Sequence, residues 1–294
     1  MRIARFAAGG EVRYGVVASA GVDSAHGNGT GTPAEGPEAG GPETEGPEAE
    51  GLGAEGTEIA ELAGHPLGTM GSIRLTGTRY SLADVRLLAP IVPSKVVAIG
   101  KNYAAHAREM GGEAPDEPVI FLKPSTSVIG PADAIIRPAA LSQRVDFEGE
   151  LAVVIGKIAR HLPPERAMDA VFGYTCANDV TARDLQAKDG QWARAKGFDT
   201  FCPLGPWIET ELDPADLEIT TTVNGEKRQN SRTSLLLHDV PALISYVTAV
   251  MTLLPGDVLL TGTPDGVGPL APGDQVSVTI EDIGTLANRV TDSS

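Results

Sequence analysis

The sequence predicts an α+β protein that is mostly β, arranged as a roll rather than as a doubly wound parallel sheet. Short strand-like segments bounded by turn residues recur along the chain, and few helical segments interleave them. The chain has 294 residues, of which 41% are hydrophobic, so a packed core is expected. This length predicts one large domain together with a small second one.

The first part of the chain, residues 1–90, is expected to form the small N-terminal domain. The segments RIARFA and EVRYGVVA flank Gly9 and Gly10, which predicts a β-hairpin. The segment SIRLTGTRYSLADVRLLAP follows later and predicts another short strand and a turn. These elements are too few to build a large core, so the domain is expected to be small.

A Gly/Pro/Glu tract, about residues 20–60, interrupts this domain. An imperfect decapeptide opens Glu-Gly-x-Glu at Glu35, Glu45 and Glu55. Nine glutamates lie between residues 35 and 61 and account for more than half of the formal net charge of -16. A tract with so few large apolar residues cannot bury enough surface to offset its ordering entropy. We predict a disordered, solubilising tract, and a docking tail for a basic partner is the alternative.

The larger domain, residues 91–294, is expected to be richer in strands. Two helices are predicted by NYAAHAREMGG, which ends at Gly111 and Gly112, and by PPERAMDAVF, whose prolines suit a helix start. One longer amphipathic helix is predicted by DVPALISYVTAVMTL. A hairpin is predicted around Asn224 and Gly225 in DLEITTTVNGEKRQ. The remaining strands are predicted by KVVAIG, PVIFLKP, RVDFEGELAVVIG, GYTCANDVTA, DVLLTGTP and DQVSVTIEDIGTLANRV.

Charge and composition exclude several classes of partner. The acidic balance opposes binding to nucleic acid phosphates. No apolar run is long enough to span a bilayer, and the first residues do not resemble a signal peptide, so we expect no membrane partner. The two cysteines, Cys176 and Cys202, exclude a disulfide framework and fit a reducing, cytoplasmic location.

The segment DFEGELAVV places carboxylates at alternate positions of a predicted strand, at Asp146, Glu148 and Glu150. Alternate side chains of a strand share a face, and like charges on one face repel. An exposed, solvated face would explain the pattern. The apolar run that follows instead indicates a central strand, where the carboxylates need a cation or a shared proton. A second predicted strand ends near Asp179, and an all-oxygen set of Glu148, Glu150 and Asp179 would suit Mg²⁺ or Mn²⁺.

From about residue 93 to the end, the chain resembles the fumarylacetoacetate hydrolase family. The matching motifs are GKNYAAHAREM, PVIFLKP, DFEGELAVVIG, NDVTARDLQ, KGFDT and LTGTPDGVG, in the family's order. The first ninety residues match only loosely, and the acidic tract departs from the pattern. The resemblance is to members that act as acylpyruvases, oxaloacetate decarboxylases or hydroxymuconate-type isomerases. It implies a mixed β-sandwich roll with few helices, and commonly a homodimer.

The resemblance also implies roles for particular residues. It makes Glu148, Glu150 and Asp179 the ligands of a Mg²⁺ or Mn²⁺ ion, whereas Asp146 is expected either to support a ligand from behind or to be solvated. The implied catalytic residues are His106, Glu109 and Lys196, and the implied substrate contacts are Lys123, Arg183, Gln186 and Thr263.

The residues alone also fit ordinary structural roles at these positions. His106 and Glu109 are three residues apart on a predicted helix, so they can touch, but such a pair is often an ordinary surface pair. Lys123 and Lys196 could be surface lysines, and Thr263 could belong to a simple Gly-rich turn. In the family, the matching His and Glu lie on a mobile lid and activate water, which suits the pKa of histidine.

The resemblance implies metal-dependent cleavage of a C–C bond in a small 2-oxo or 2,4-dioxo acid, such as an acylpyruvate. The metal would hold the 1-carboxylate and the 2-oxygen of the substrate. Decarboxylation of oxaloacetate and isomerisation of a hydroxymuconate-type diacid use the same enolate chemistry and are the alternatives. A non-catalytic protein that binds a metal–dicarboxylate complex is an alternative of another class.

Overall fold

The computed structural model describes residues 1–19, 56–68 and 73–293. Within these ranges, the strands in chain order are β1 (Arg2–Ala8), β2 (Glu11–Ser19), β3 (Thr57–Leu62), β4 (Leu75–Ser81), β5 (Arg86–Leu88), β6 (Val96–Gly100), β7 (Val119–Lys123), β8 (Val128–Ile129), β9 (Ala134–Arg137), β10 (Val145–Phe147), β11 (Gly149–Ile155), β12 (Val171–Asn178), β13 (Thr181–Ala182), β14 (Cys202–Glu209), β15 (Glu218–Val223), β16 (Glu226–Arg232), β17 (Val258–Leu260), β18 (Gly268–Pro269), β19 (Gln275–Ile280) and β20 (Gly284–Asp292). The α-helices are α1 (Ala104–Glu109), α2 (Pro164–Ala167), α3 (Arg183–Asp189), α4 (Ala193–Lys196) and α5 (Val240–Val250).

The strands form one large mixed sheet and two smaller ones. The large sheet has the order β4-β3-β2-β1-β14-β12-β11-β17-β6-β7, with β5 paired to β1 and β8 paired to β14. A second sheet has the order β16-β15-β19-β20-β9, and a third has the order β13-β10-β18. The first strands of the chain therefore extend the large sheet, because β1 pairs with β14. The division into domains at about residue 90 remains a prediction.

The core lies between the large sheet, the five-stranded sheet and helix α5. Leu151 and Val153 of β11 belong to one buried cluster with Val278 of β19 and Ile244 of α5. Ala152, on the other face of β11, belongs to a second buried cluster. Strand β11 is thus buried on both faces, which explains its continuous apolar sequence. The fold class predicted from the sequence, mostly β with few short helices, is confirmed.

The predicted hairpins and most predicted strands are present, but two predicted strands are each divided between sheets. GYTCANDVTA is divided into β12 of the large sheet and β13 of the three-stranded sheet. The segment RVDFEGELAVVIG is not a single strand, because β10 pairs with β13 and β18 while β11 pairs with β12 and β17. The chain passes from one sheet to another at Glu148, whose N–H donates to Asn178 Oδ1 at 3.0 Å. Asp146 and Glu150 consequently lie on strands of different sheets, and the expected common face of one strand is wrong.

The acidic tract predicted at about residues 20–60 lies almost entirely outside the described residues. Its end is described and is not disordered, because β3 begins at Thr57 and pairs with β2, with Ser19 opposite Thr57. Ile59 is fully buried beside Phe6 and holds this end in the core. In the described part of the chain, no helix has the length and apolar character needed to cross a membrane.

Candidate functional site

Three buried carboxylates converge where β11 and β12 meet. Glu148 lies at the junction before β11, Glu150 lies on β11, and Asp179 follows β12 directly. The backbone N–H of Asp179 donates to the carbonyl oxygen of Glu148 at 2.8 Å, which fixes the two residues beside each other. One carboxylate oxygen of each residue can be chosen so that all three lie within 4.8 Å of one another. The sequence-predicted triad is therefore assembled.

Lys196 and Arg183 balance part of this negative charge at Glu148 and Asp179. Lys196, at the end of α4, donates to Glu148 Oε2 at 2.7 Å and to Asp179 Oδ2 at 2.6 Å. Arg183 donates to Glu148 Oε1 at 2.6 Å. Burial opposes ionisation of Glu148, but Lys196 and Arg183 outweigh it and lower the pKa of this carboxyl below its ordinary value. Burial also opposes the charge on Lys196, but Asp179 and Glu148 raise the pKa of this lysine, which stays protonated.

The third carboxylate, Glu150, forms no ion pair with any residue that the structure describes. Its Oε2 accepts a hydrogen bond from the N–H of Gly262 at 2.7 Å. Burial, followed by the charges of Asp179 and Glu148, raises the pKa of Glu150 well above its ordinary value. A divalent cation bound beside Glu150 would offset the repulsion from Asp179 and Glu148 and would favour the ionised form of its carboxyl.

Asp179 provides a second indication that the site suits a cation. The ammonium of Lys123 lies 2.7 Å from Asp179 Oδ1. The hydrogen bonds of Lys123 go instead to the carbonyl oxygens of Lys196, at 2.5 Å, and Val180, at 3.3 Å. Asp179 Oδ1 is buried and accepts no hydrogen bond from any residue in the described ranges. The residues present therefore fit a hard, oxygen-preferring ion such as Mg²⁺ or Mn²⁺.

Helix α1 holds the predicted histidine–glutamate pair. His106 Nδ1 lies 3.2 Å from Glu109 Oε2, as the three-residue spacing predicted. The N–H of Gly266 donates to Glu109 Oε1 at 3.0 Å, so the glutamate is held from both sides. His106 is buried, whereas Glu109 is part-exposed. With Nδ1 bound to the glutamate, Nε2 of His106 is the ring nitrogen left for a reacting molecule.

Asp146 lies behind the triad and outside the ligand set. It is fully buried, and its Oδ2 accepts a hydrogen bond from Arg183 Nε at 2.9 Å. Arg144 donates to it from the outer side at 2.9 and 3.1 Å. Arg183 Nη1 donates to Gln186 Oε1 at 2.6 Å. Of the two expectations for Asp146, support from behind matches the structure, because it anchors the arginine that holds Glu148.

Sequence reasoning missed a buried amide that ties the site together. Gln229 of β16 is fully buried and accepts a hydrogen bond at 3.0 Å from the N–H of Gly149, which lies between Glu148 and Glu150 in the chain. Its Nε2 donates to Thr263 Oγ1 and to the carbonyl of Pro264, both at 2.8 Å. Thr263 Oγ1 in turn donates to the carbonyl of Gly149 at 2.8 Å. No local signal marks Gln229, because its partners are remote in sequence.

These side chains surround a cavity of about 290 Å³. Eight of the ten sequence-predicted site residues line it: His106, Glu148, Glu150, Asp179, Arg183, Gln186, Lys196 and Thr263. Glu109 and Lys123 do not line it. Lys123 is fully buried against Asp179, so its charge acts on that carboxylate, and the expected direct contact with substrate has no support in this arrangement.

The same cavity is also lined by an aromatic pair and a lysine, which the sequence analysis did not identify. Trp192 and Phe121 meet edge to face with ring centroids 5.2 Å apart. The ammonium of Lys196 lies 5.0 Å from the ring centroid of Phe121, within cation–π range. Lys101 lines the cavity as well. The cavity thus has the carboxylate triad on one side together with cationic and aromatic groups, which suits a small anionic ligand.

Comparisons with known proteins show what this chain is similar to. Residues 1–50 and 51–90 match a family described as Rv2993c-like, N-terminal. The chain is 59% identical over 233 residues to Protein Rv2993c of Mycobacterium tuberculosis, covering 78% of this chain and 86% of that protein. It is 43% identical over 247 residues to oxaloacetate tautomerase YisK of Bacillus subtilis, covering 79% of this chain and 80% of that protein.

A solved structure extends the similarity to the whole chain. The 5-carboxymethyl-2-hydroxymuconate delta-isomerase from Mycobacterium smegmatis is 50% identical and superposes with a TM-score of 0.81, covering 100% of both chains. Residues 95–291 match the family described as fumarylacetoacetate (FAA) hydrolase C-terminal. That match contains the triad and its cations, and it shows that the chain belongs to the fumarylacetoacetate hydrolase C-terminal family.

Proposed function

We propose that the protein is a divalent-metal-dependent enzyme that interconverts the enol and keto forms, or shifts the double bond, of a small 2-oxo acid. The observation that carries this proposal is a buried carboxylate triad that shares one cavity with a histidine whose Nδ1 is held by Glu109. Relatives named oxaloacetate tautomerase and hydroxymuconate isomerase support the reaction class. When bound at Glu148, Glu150 and Asp179, a Mg²⁺ or Mn²⁺ ion would supply Lewis acidity toward the substrate's 2-oxygen.

The side chains have separate tasks in this reaction. His106 exchanges a proton with the substrate through Nε2, taking it from the enol oxygen or delivering it to C3, while Glu109 orients the ring. The proton lost from oxygen balances the proton gained at carbon, so no co-reactant is needed. Lys196 stays charged and stabilises negative charge without acting as a base. The amide nitrogen of Gln186 is a donor available to the substrate, because its oxygen is bound to Arg183.

Hydrolysis of a C–C bond in an acylpyruvate is the second candidate. The same dyad supports it, because a histidine held by a fixed carboxylate can also activate water. Decarboxylation of oxaloacetate depends less on His106 and Glu109, since carbon dioxide leaves without nucleophilic attack. The two candidates therefore differ in whether C–C bonds break, and not in which residues are present.

The test follows two substrates with the Mg²⁺-loaded wild type, His106→Ala and Glu109→Gln. Decay of the enol absorbance of oxaloacetate reports tautomerisation, and pyruvate release from acetylpyruvate reports hydrolysis. We expect wild type to accelerate enol decay and His106→Ala to lose about 10²–10⁴-fold of that rate while keeping its metal affinity. Glu109→Gln keeps the shape of the side chain and is expected to lose less.

The possible results separate the candidates. Pyruvate release without enol decay would favour the hydrolase over the tautomerase. Turnover by wild type that His106→Ala leaves intact would contradict the role given to the dyad. Absence of turnover on a wider panel of 2-oxo acids with metal bound would favour a non-catalytic metal–dicarboxylate binding protein.

A further inference from the structure

Lys101 stands apart from the other cations of the cavity. Of the three Lys and Arg residues that line it, Arg183 and Lys196 are already bound to carboxylates of the site. All three guanidinium nitrogens of Arg183 donate to protein acceptors. Lys101 forms no ion pair with any residue in the described part of the chain. Its ammonium is therefore available to an anion from outside.

The backbone at Lys101 is held in an unusual conformation. Its φ is +58°, in the left-handed region that a residue with a Cβ rarely adopts. Gly100, before it, pairs with Val119 in the β6–β7 ladder. Asn102, after it, donates to the carbonyls of Thr261 at 2.8 Å and His238 at 3.0 Å.

Both neighbours are thus anchored, and the turn itself would favour Gly or Asn. A lysine at this position adds no backbone advantage, so the reason for it lies in its side chain. The ammonium lies beside Gly112, just beyond the helix of His106, where a Cβ built on that glycine would be 3.3 Å away. Lys101 therefore places a positive charge next to the helix that holds the proposed proton-transfer residue.

The chemistry of the cavity defines what this charge would bind. In the proposed function, the 1-carboxylate and the 2-oxygen of the substrate lie at the triad. A 2-oxo monocarboxylate has no further anionic group, whereas a 2-oxo dicarboxylate has one at its far end. We propose that Lys101 binds this second carboxylate and so selects 2-oxo dicarboxylates over 2-oxo monocarboxylates such as acetylpyruvate. This inference rests on the proposed function for the position of the first carboxylate.

The test compares ligands that differ only in the distal charge. Wild type, Lys101→Met and Lys101→Gly are assayed with oxaloacetate and with its 4-ethyl ester. Binding of malate and lactate to the Mg²⁺-loaded proteins is measured by calorimetry, since these hydroxy acids do not depend on turnover. Lys188→Met is the matched control, because Lys188 is an exposed lysine near the cavity that does not line it.

We expect both Lys101 variants to raise the KM for oxaloacetate and the Kd for malate by about tenfold or more, the effect of losing a hydrogen bond to a charged group. The ester and lactate should change less than about twofold by the same reasoning. Lys101→Gly suits the left-handed backbone, so its thermal midpoint is expected to stay near wild type, and measuring it separates loss of binding from loss of fold. Lys188→Met should behave as wild type.

The outcomes distinguish this inference from the proposed function. Equal effects on the dicarboxylates and on the singly charged ligands, or no effect on either, would overturn the role of Lys101. If wild type turns over neither substrate but the malate and lactate pattern holds, the inference stands and the proposed function is wrong.

Discussion

Replacing Lys196 by methionine tests the charge balance of the triad. The variant keeps a side chain of similar length but removes an ammonium that donates to Glu148 at 2.7 Å and to Asp179 at 2.6 Å. A hydrogen bond to a charged group contributes about 1.5–3 kcal/mol, so losing two predicts a cost of about 3–6 kcal/mol. Breaking a buried ion pair costs about 3–5 kcal/mol, which agrees. We expect the metal-free variant to lose about 3–5 kcal/mol of unfolding free energy.

The same substitution should strengthen metal binding. The ammonium is bound to carboxylate oxygens that a metal ion would use, and it would repel a divalent ion by about 8 kcal/mol at about 4 Å and an effective dielectric of about 20. We expect Mn²⁺ to bind Lys196→Met at least about tenfold more tightly, a conservative part of that repulsion, while catalytic activity falls. Stabilisation by saturating Mn²⁺, which grows as RT ln(1 + [L]/Kd), should then be larger in the variant than in wild type.

The assay is urea unfolding with and without Mn²⁺, together with calorimetric titration of the metal. Lys95→Met is the matched control, because Lys95 pairs with the buried carboxylate of Asp257 away from the cavity. It should lose stability without any change in Mn²⁺ affinity. Weaker Mn²⁺ binding by Lys196→Met would refute the reasoning, since the lysine would then organise the ligands instead of competing with the metal.

Three further predictions follow from the structure. Because the pKa of Glu150 is raised, its contribution to the stability of the metal-free protein is present below the ordinary value of 4.5 and is lost as pH rises through the folded-state pKa. Mn²⁺ must displace that proton, so calorimetry in buffers of different ionisation enthalpy should show proton release and an affinity that rises with pH; a pH-independent affinity would contradict this. Gln229→Met leaves the Gly149 N–H and the Pro264 carbonyl without their partner, and should cost about 2–6 kcal/mol in urea unfolding and weaken Mn²⁺ binding. Thr221→Val, which removes a buried hydroxyl without a hydrogen-bond partner in the described chain, should be near neutral, and equal losses in both variants would argue against the role of Gln229. Replacing residues 20–56 by an Asn-Gly turn should leave the thermal midpoint and the activity near wild type, because the flanking strands are paired up to Ser19 and Thr57; a large loss of either would refute it.

Local patterns in the sequence predicted much of the fold. Alternating and apolar runs located the strands, and Asn224 and Gly225 marked a hairpin, where both residues have positive φ in the structure. The contact between His106 and Glu109 also followed from local spacing, because helical geometry alone brings residues three apart together. These features depend on a few neighbouring residues, so a single sequence contains them.

Features that depend on remote partners could not be read in this way. The chain leaves one sheet at Glu148 because the strands on either side pair with different neighbours. No residue near Glu148 indicates that change of sheet. The residues suggested Asp179 as the third carboxylate because a predicted strand ends there. Its distance from Glu148 is set by strand pairing, which the residues alone did not give. Gln229 was missed because its hydrogen-bond partners are remote in sequence, and Lys101 was missed because a lone lysine gives no sign of its left-handed backbone or of the cavity beside it.

Calorimetric titration of Mg²⁺ and Mn²⁺ into wild type, Glu150→Ala and Asp146→Ala is the most direct test of the central claim, that three buried carboxylates hold a catalytic metal. We expect one ion per chain in wild type and no measurable binding to Glu150→Ala. Asp146→Ala should retain the metal, because Asp146 contacts Arg183 and Arg144 and lies outside the ligand set. Tight binding of either metal by Glu150→Ala would contradict the assignment of the triad.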